Sequence, residues 1–218
     1  IDLLGERISN DRDNLKRVFQ KVCSVECEDD GVRFDAGSLE LEPIAIEKKY
    51  PGTCVKVVAH LDTIVQQVSV DIGFGDVVTP YPVSLDYPLL LPDVPAVEIY
   101  AYSLETLIAE KFHTMVDRDE SNSRMKDFFD VYQLFTYHEI DKALLEEAIV
   151  STFKNRSTSY KDNLALFTNT FAQDDTRNAW WKAFLKKIRW KEHIDFSDVM
   201  NCIKENLQEY WKEDVLGR

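Results

Sequence analysis

The chain has 218 residues, 44% of them apolar and 30% charged, which is enough for one large or two small domains with a real core. With 39 acidic and 26 basic side chains its formal net charge is −13, which excludes indiscriminate binding to nucleic acid but leaves room for a local basic patch. No stretch has the length and apolarity of a membrane span, and the first residues carry neither a basic segment nor an apolar run, so no membrane partner or secretory leader is expected and a cytoplasmic location is.

Ile1 to Leu4 reads as the end of a strand with no initiator Met before it, and a preceding segment is expected. Gly5 to Asn10 reads as a turn, and Asp11 to Val22 as a helix with Leu15, Val18, Phe19 and Val22 on one face. Gly31 to Ile46 predicts short strands interrupted by Gly37 and Pro43, followed by a turn at Pro51-Gly52. Cys54 to Leu61 predicts a strand and Ile64 to Phe74 another, in which Val68, Val70, Ile72 and Phe74 alternate with Ser69, Asp71 and Gly73. That alternation sets Asp71 on the face opposite Val70 and Ile72, where carboxylates of a neighbouring strand can join it. Pro80 to Pro95 reads as a proline-bearing loop that ends the sheet region, before a short strand at Val97 to Tyr102. Cys23, Cys27, Cys54 and Cys202 are too scattered for a disulfide framework. C-x3-C with His60 could hold zinc, but no second close pair and no H-x3-H partner is present, so buried reduced thiols are expected. His60, His113, His138 and His193 show no ligand spacing.

From Ser103 the period becomes helical. Ser103 reads as an N-cap with Glu105 in the first turn, and Leu104, Leu107, Ile108, Phe112 and Met115 recur at helical spacing. Lys111 lies along that apolar stripe rather than on the opposite, solvated face. A polar link, Asp119-Glu120-Ser121-Asn122-Ser123, leads to a second helix through Arg124, Lys126, Asp127, Phe128, Phe129, Asp130, Val131, Leu134 and Phe135. There Asp127, Asp130, Val131 and Leu134 share a face, with Lys126 one turn from Asp130. Two readings stay open: Lys111 snorkels and pairs with Asp127 or Asp130 to fix one helix against the other, or these charges form a functional site. From Glu139 onward the pattern is almost wholly helical. Leu144, Leu145, Ala148 and Ile149 make one face; Trp180, Trp181, Phe184, Leu185 and Ile188 a second; Phe196, Val199, Met200, Ile203, Leu207 and Trp211 a third. Lys182 to Lys191 is basic, acid-free and aromatic: an amphipathic helix with its lysines in water, or an RNA surface with a base near Trp190.

The pattern S-x-E-x-x-x-A-E-K-x-x-x-x-x-x-R, a polar gap and R-x-K-D-x-x-D is carried by Ser103, Glu105, Ala109, Glu110, Lys111, Arg118, Arg124, Lys126, Asp127 and Asp130. It resembles the distal motifs of the AbiEii/AbiGii-type nucleotidyltransferase toxins, within the DNA polymerase β-like superfamily. Ile1-Asp2-Leu3-Leu4 resembles the end of the family's D-x-D-L, whose first Asp and Gly-Ser fall before Ile1, and Val70-Asp71-Ile72-Gly73-Phe74-Gly75-Asp76 resembles its third-carboxylate strand. Tyr50-Pro51-Gly52 fits the turn before its central hairpin. The resemblance spans Ile1 to Phe135. It implies that Asp2 and Asp71 hold Mg²⁺ or Mn²⁺ and that Asp71 orients or deprotonates the attacking hydroxyl. It further implies that Lys111, Arg118, Lys126, Asp127 and Asp130 handle the NTP, Lys111 and Asp127 being catalytic.

The fold expected is α+β: a nucleotidyltransferase-like mixed sheet with flanking helices over 1–102, then a helical region over 103–218 whose first helix pair, 103–135, completes the active site. The expected function is NTP-dependent nucleotidyl transfer, as the toxin of a type IV-like toxin–antitoxin or abortive-infection pair, to an RNA acceptor such as tRNA and with a cognate antitoxin. Two other readings compete: a degenerate nucleotide-binding homologue, and a structural helical interaction module.

Overall fold

The computed structural model describes residues 2–25, 31–44, 52–87 and 96–217, which divide into two compact units between Asp76 and Val77. In the first unit the elements are β1 (Asp2–Leu4), α1 (Arg12–Cys23), β2 (Val32–Ile44), β3 (Gly52–Leu61) and β4 (Ile64–Gly73). They form a sheet of order β1-β4-β3-β2, in which β1 runs parallel to β4 and the other pairs are antiparallel. The mixed sheet of an α+β fold is therefore present. Asp11 caps α1, its carboxylate accepting the Asn14 N–H at 2.8 Å. Leu15 is wholly buried against Leu41, Val55, Val70 and Ile72, and Phe19 packs beside them. The alternation expected in β4 holds: Val70 and Ile72 are buried and Asp71 is exposed.

Two expectations in this unit need correction. Val22 does not join the buried face of α1 but is 57% exposed, because the face that meets the core runs through Leu15, Phe19 and Cys23 at i, i+4 and i+8 and leaves Val22 off its edge. Val32 to Ile44 is one strand of 13 residues, not several short ones, and its register against β3 shifts between Asp35 and Glu40. Gly37 marks that bulge, its N–H donating to the Asp35 carboxylate at 2.8 Å. The Ser38 hydroxyl accepts the Val58 N–H at 2.8 Å, so a side chain takes over a ladder bond and the strand continues. Pro43 sits opposite Thr53 on the sheet's edge strand, where a missing N–H is tolerated. The expected turn at Pro51, the strand end at Ile46, and Cys27 lie outside the described residues.

The second unit opens with β5 (Val83–Tyr87) paired antiparallel to β6 (Val97–Ala101). β5 lies inside the stretch expected as loop: the flanking prolines hid the alternation of Val83, Leu85 and Tyr87 with Ser84 and Asp86. Residues 88–95 lie outside the described part. The helices follow as α2 (Leu104–Arg118), α3 (Met125–Tyr137), α4 (Lys142–Asn155), α5 (Asn169–Ala172), α6 (Asp175–Lys187), α7 (Phe196–Leu207) and α8 (Glu213–Leu216). Phe112, Phe128, Phe153, Trp181 and Phe196 are buried at its centre, and each such side chain contributes about 1.5–3 kcal/mol by leaving water. The expected face of α7 is buried, as are Ile108, Phe112 and Met115 on α2 and Leu145, Ala148 and Ile149 on α4, while Leu104, Leu107 and Leu144 at the helix starts are half-buried. On α6, however, Trp180 and Ile188 of the expected core face are 42% and 40% exposed, so only Trp181, Phe184 and Leu185 reach the core. No helix of the described residues is long and apolar enough to cross a membrane.

Candidate functional site

In the first unit the open face of the sheet carries a row of polar side chains fixed by strand register. Asp2 on β1 stands directly opposite Asp71 on the parallel strand β4; Asp71 in turn faces Cys54 on β3, and Cys54 faces Glu42 on β2. Residues opposed in this way share a face, on strands about 4.8 Å apart. Asp2 and Asp71 are therefore neighbours on one surface, and both are exposed. The Cys54 thiol donates to the Asp71 carboxylate, and this hydrogen bond, with a smaller effect from burial, raises the thiol's pKa. Lys56 lies diagonally across and pairs with Glu42 at 2.6 Å.

The donor set fits a hard divalent cation. Mg²⁺ is held by one or two carboxylates, the remaining positions going to water and phosphate oxygens, and Asp2 with Asp71 supplies such a pair. Among the described residues no group of three or more His, Cys, Asp or Glu could enclose an ion, so the pair suits a cation shared with substrate and not a closed protein cage. Cys23, Cys54 and Cys202 are free thiols, half-buried.

In the second unit, Ser103 caps α2 by accepting the Thr106 N–H at 3.1 Å. Two turns along, the Lys111 ammonium lies 2.7 Å from Asp130 and 3.1 Å from Asp127. The Arg124 Nε donates to Asp127 at 2.6 Å across an i,i+3 spacing, and Lys126 reaches Asp130 at 2.5 Å across i,i+4. Asp127 is buried, Lys111 and Asp130 nearly so, while Arg124 and Lys126 are open to solvent. Three cations thus surround two carboxylates, a local surplus of one positive charge. Both open readings of Lys111 share this geometry, since the pairing with Asp127 and Asp130 is present. A lysine has three donors, and among the described residues the Lys111 ammonium meets two carboxylates. Arg118 stands exposed in the last turn of α2, apart from these ion pairs.

Other motif acids are scaffold. Glu110 accepts from Arg156 at 2.9 Å and from the Thr152 hydroxyl at 3.2 Å, tying α2 to α4, and Glu105 accepts the Asp141 N–H at 3.2 Å. Trp190 is half-buried, its ring edge-on to Phe129 with centroids 5.0 Å apart. Sequence reasoning assigned no role to Arg124, although the i,i+3 spacing to Asp127 marks it. It also missed Cys54, whose place beside Asp71 depends on inter-strand register.

The α+β fold and the exposed carboxylate pair are compatible with a nucleotidyltransferase. The family model described as nucleotidyl transferase AbiEii toxin, type IV toxin–antitoxin system, matches residues 1–202, and the chain belongs to that family. No curated protein matches it. Among solved structures, JHP933 from Helicobacter pylori is 13% identical, the match covering 99% of this chain and 75% of that one at a TM-score of 0.45. A proposed nucleotidyltransferase from H. pylori is 14% identical over 88% of this chain and 80% of that one, with a TM-score of 0.38.

Proposed function

We propose that the protein is an NTP-dependent, metal-dependent nucleotidyltransferase acting in the cytoplasm as the toxin of a type IV-like pair, that RNA, tRNA included, is its acceptor, and that a cognate antitoxin is its protein partner. The observation that carries the reading is the register of Asp2 against Asp71, which gives two hard carboxylates one exposed surface within a family of nucleotidyltransferases. Bound there, Mg²⁺ or Mn²⁺ supplies charge neutralisation for the triphosphate.

The chain's own groups have these roles. Asp71 accepts the proton of the attacking RNA hydroxyl; the new O–P bond forms at the α-phosphorus as the bond to pyrophosphate breaks. Asp2 holds the cation from the neighbouring strand. Lys111 offers its third N–H to a phosphate oxygen, and Asp127 and Asp130 orient its ammonium. Lys126 and Arg118 add positive charge for the nucleotide. The full complement of cations on Asp127 and Asp130 supports a second task for the cluster, bracing α2 against α3.

The test is to incubate the full-length protein with total RNA, Mg²⁺ or Mn²⁺ and each NTP in turn, and to read the RNA by mass spectrometry. A mass increment of one or more nucleotides with a particular NTP is expected. RNA unchanged by all four, under conditions where the protein is folded and binds NTP, would leave the degenerate-homologue reading in its place.

A further inference from the structure

A cleft of about 640 Å³ runs between the start of α3 and the exposed side of α6, wholly within the second unit. Arg124 and Lys126 line one wall, Lys187 lies at the end of α6, and Trp180, Phe184 and Met125 supply aromatic and apolar surface. Trp180, Phe184 and Lys187 follow one another at i, i+4 and i+7, so they form a single stripe on α6. The Trp180 indole is 42% exposed, in contrast to the neighbouring Trp181, which is buried and donates to the Ile194 carbonyl at 2.8 Å. The packing of α6 leaves this indole at the open edge of its apolar face, beside the cations of the cleft. In a chain of net charge −13 the cleft is lined by three cations; Arg124 and Lys126 are paired to Asp127 and Asp130, which leaves Lys187 and the one-charge surplus of the Lys111 cluster as its net positive charge.

We propose that this cleft binds a single-stranded segment of RNA, with a base stacked on Trp180 and the flanking phosphates on Lys187 and Arg124. This deepens the reading above and rests on it, since it gives the acceptor a place. Single strands suit the cleft because only an unpaired base offers its face to an indole, while the cations follow the backbone without reading sequence. Arg124 and Lys126 link the cleft to the Lys111 cluster through Asp127 and Asp130.

The experiment is a fluorescence-anisotropy titration of the full-length protein with a labelled single-stranded RNA of about ten nucleotides, for wild type, Trp180→Ala, Trp180→Phe and Lys187→Glu, with Mg-NTP affinity and RNA labelling measured alongside. Lys187 is exposed, so Lys187→Glu should leave the melting temperature unchanged; Trp180→Ala removes partly buried surface, so binding is compared at a temperature where thermal melts show each variant folded. Trp180→Ala and Lys187→Glu should each weaken RNA binding about tenfold with NTP affinity unchanged, Trp180→Phe should retain most of it, and Lys187→Glu should also lower the salt dependence. If wild type labels RNA and these variants bind it equally well, the cleft is not the acceptor's and the proposed function stands. Loss of NTP affinity with RNA binding intact would assign the cleft to the nucleotide and overturn the proposal. A wild type that neither binds nor labels RNA would overturn both.

Discussion

Asp71 is held between two neighbours with opposite consequences. Asp2 repels it in the absence of a cation, and Cys54 donates to it. In metal-free buffer Asp71→Asn should therefore leave the melting temperature unchanged or raise it, since the repulsion is relieved. A clear fall in thermal melts would show that Asp71 is mainly structural. The same substitution removes the charge that raises the Cys54 pKa, so more thiolate is present near pH 8 and peptide-mapped alkylation of Cys54 should quicken. An unchanged rate would mean that the Asp71 carboxylate does not control the thiol. Lys111→Met takes one partner from each of Asp127 and Asp130 but leaves them Arg124 and Lys126. We expect a stability loss of about 1.5–3 kcal/mol, less than the roughly 3–5 kcal/mol of a fully stranded buried charge. Denaturant melts giving no loss would remove the bracing role, and Mg-NTP titrations of the same variant would report the nucleotide role separately. The face of Asp71 was legible because a period of two is local. The engagement of Lys111 was legible only as alternatives, because which carboxylate it meets depends on how α2 and α3 pack.

At the level of elements, the position of β1 depends on Gly5. Its N–H donates to the Gly73 carbonyl at 2.8 Å, and a Cβ there would come within 2.2 to 2.8 Å of the Phe74 ring. Gly5→Ala should then cost about 1–3 kcal/mol by overpacking and displace the strand that carries Asp2. Chemical denaturation and an activity assay of this variant should both show a loss; a wild-type midpoint would mean that the ring yields freely. The strands and helices with a strong period were legible in the sequence. Elements whose pattern is interrupted were not: Gly37 looked like a strand end but is a bulge that side-chain bonds bridge, and β5 is short and flanked by prolines. The outward turn of Trp180 was missed for a related reason. Its helical phase fits the core face, and only the packing of α6 determines which edge of that face stays open.

At the level of the molecule, the charge balance and the site chemistry differ in sign. Under the proposed function, a chain of −13 gathers cations around Lys111 for the nucleotide's phosphates and along the α3–α6 cleft for those of RNA, and places its paired carboxylates where a divalent ion would neutralise them. The family and the α+β class were legible in the sequence because the motif residues lie in two local runs, at β4 and across α2 and α3. That Asp2 and Asp71 meet was legible only through the family resemblance, because a parallel pairing between the first and fourth strands cannot be read from either segment alone. The most direct measurement of the central claim is transfer of label from an α-phosphate-labelled NTP to RNA by the full-length protein, comparing wild type, Asp2→Asn and Asp71→Asn at matched thermal stability with and without Mg²⁺ or Mn²⁺. The predicted result is cation-dependent labelling by wild type and a loss of about hundredfold or more in each variant. Labelling by either variant at close to the wild-type rate, or wild-type labelling that persists in EDTA, would contradict it.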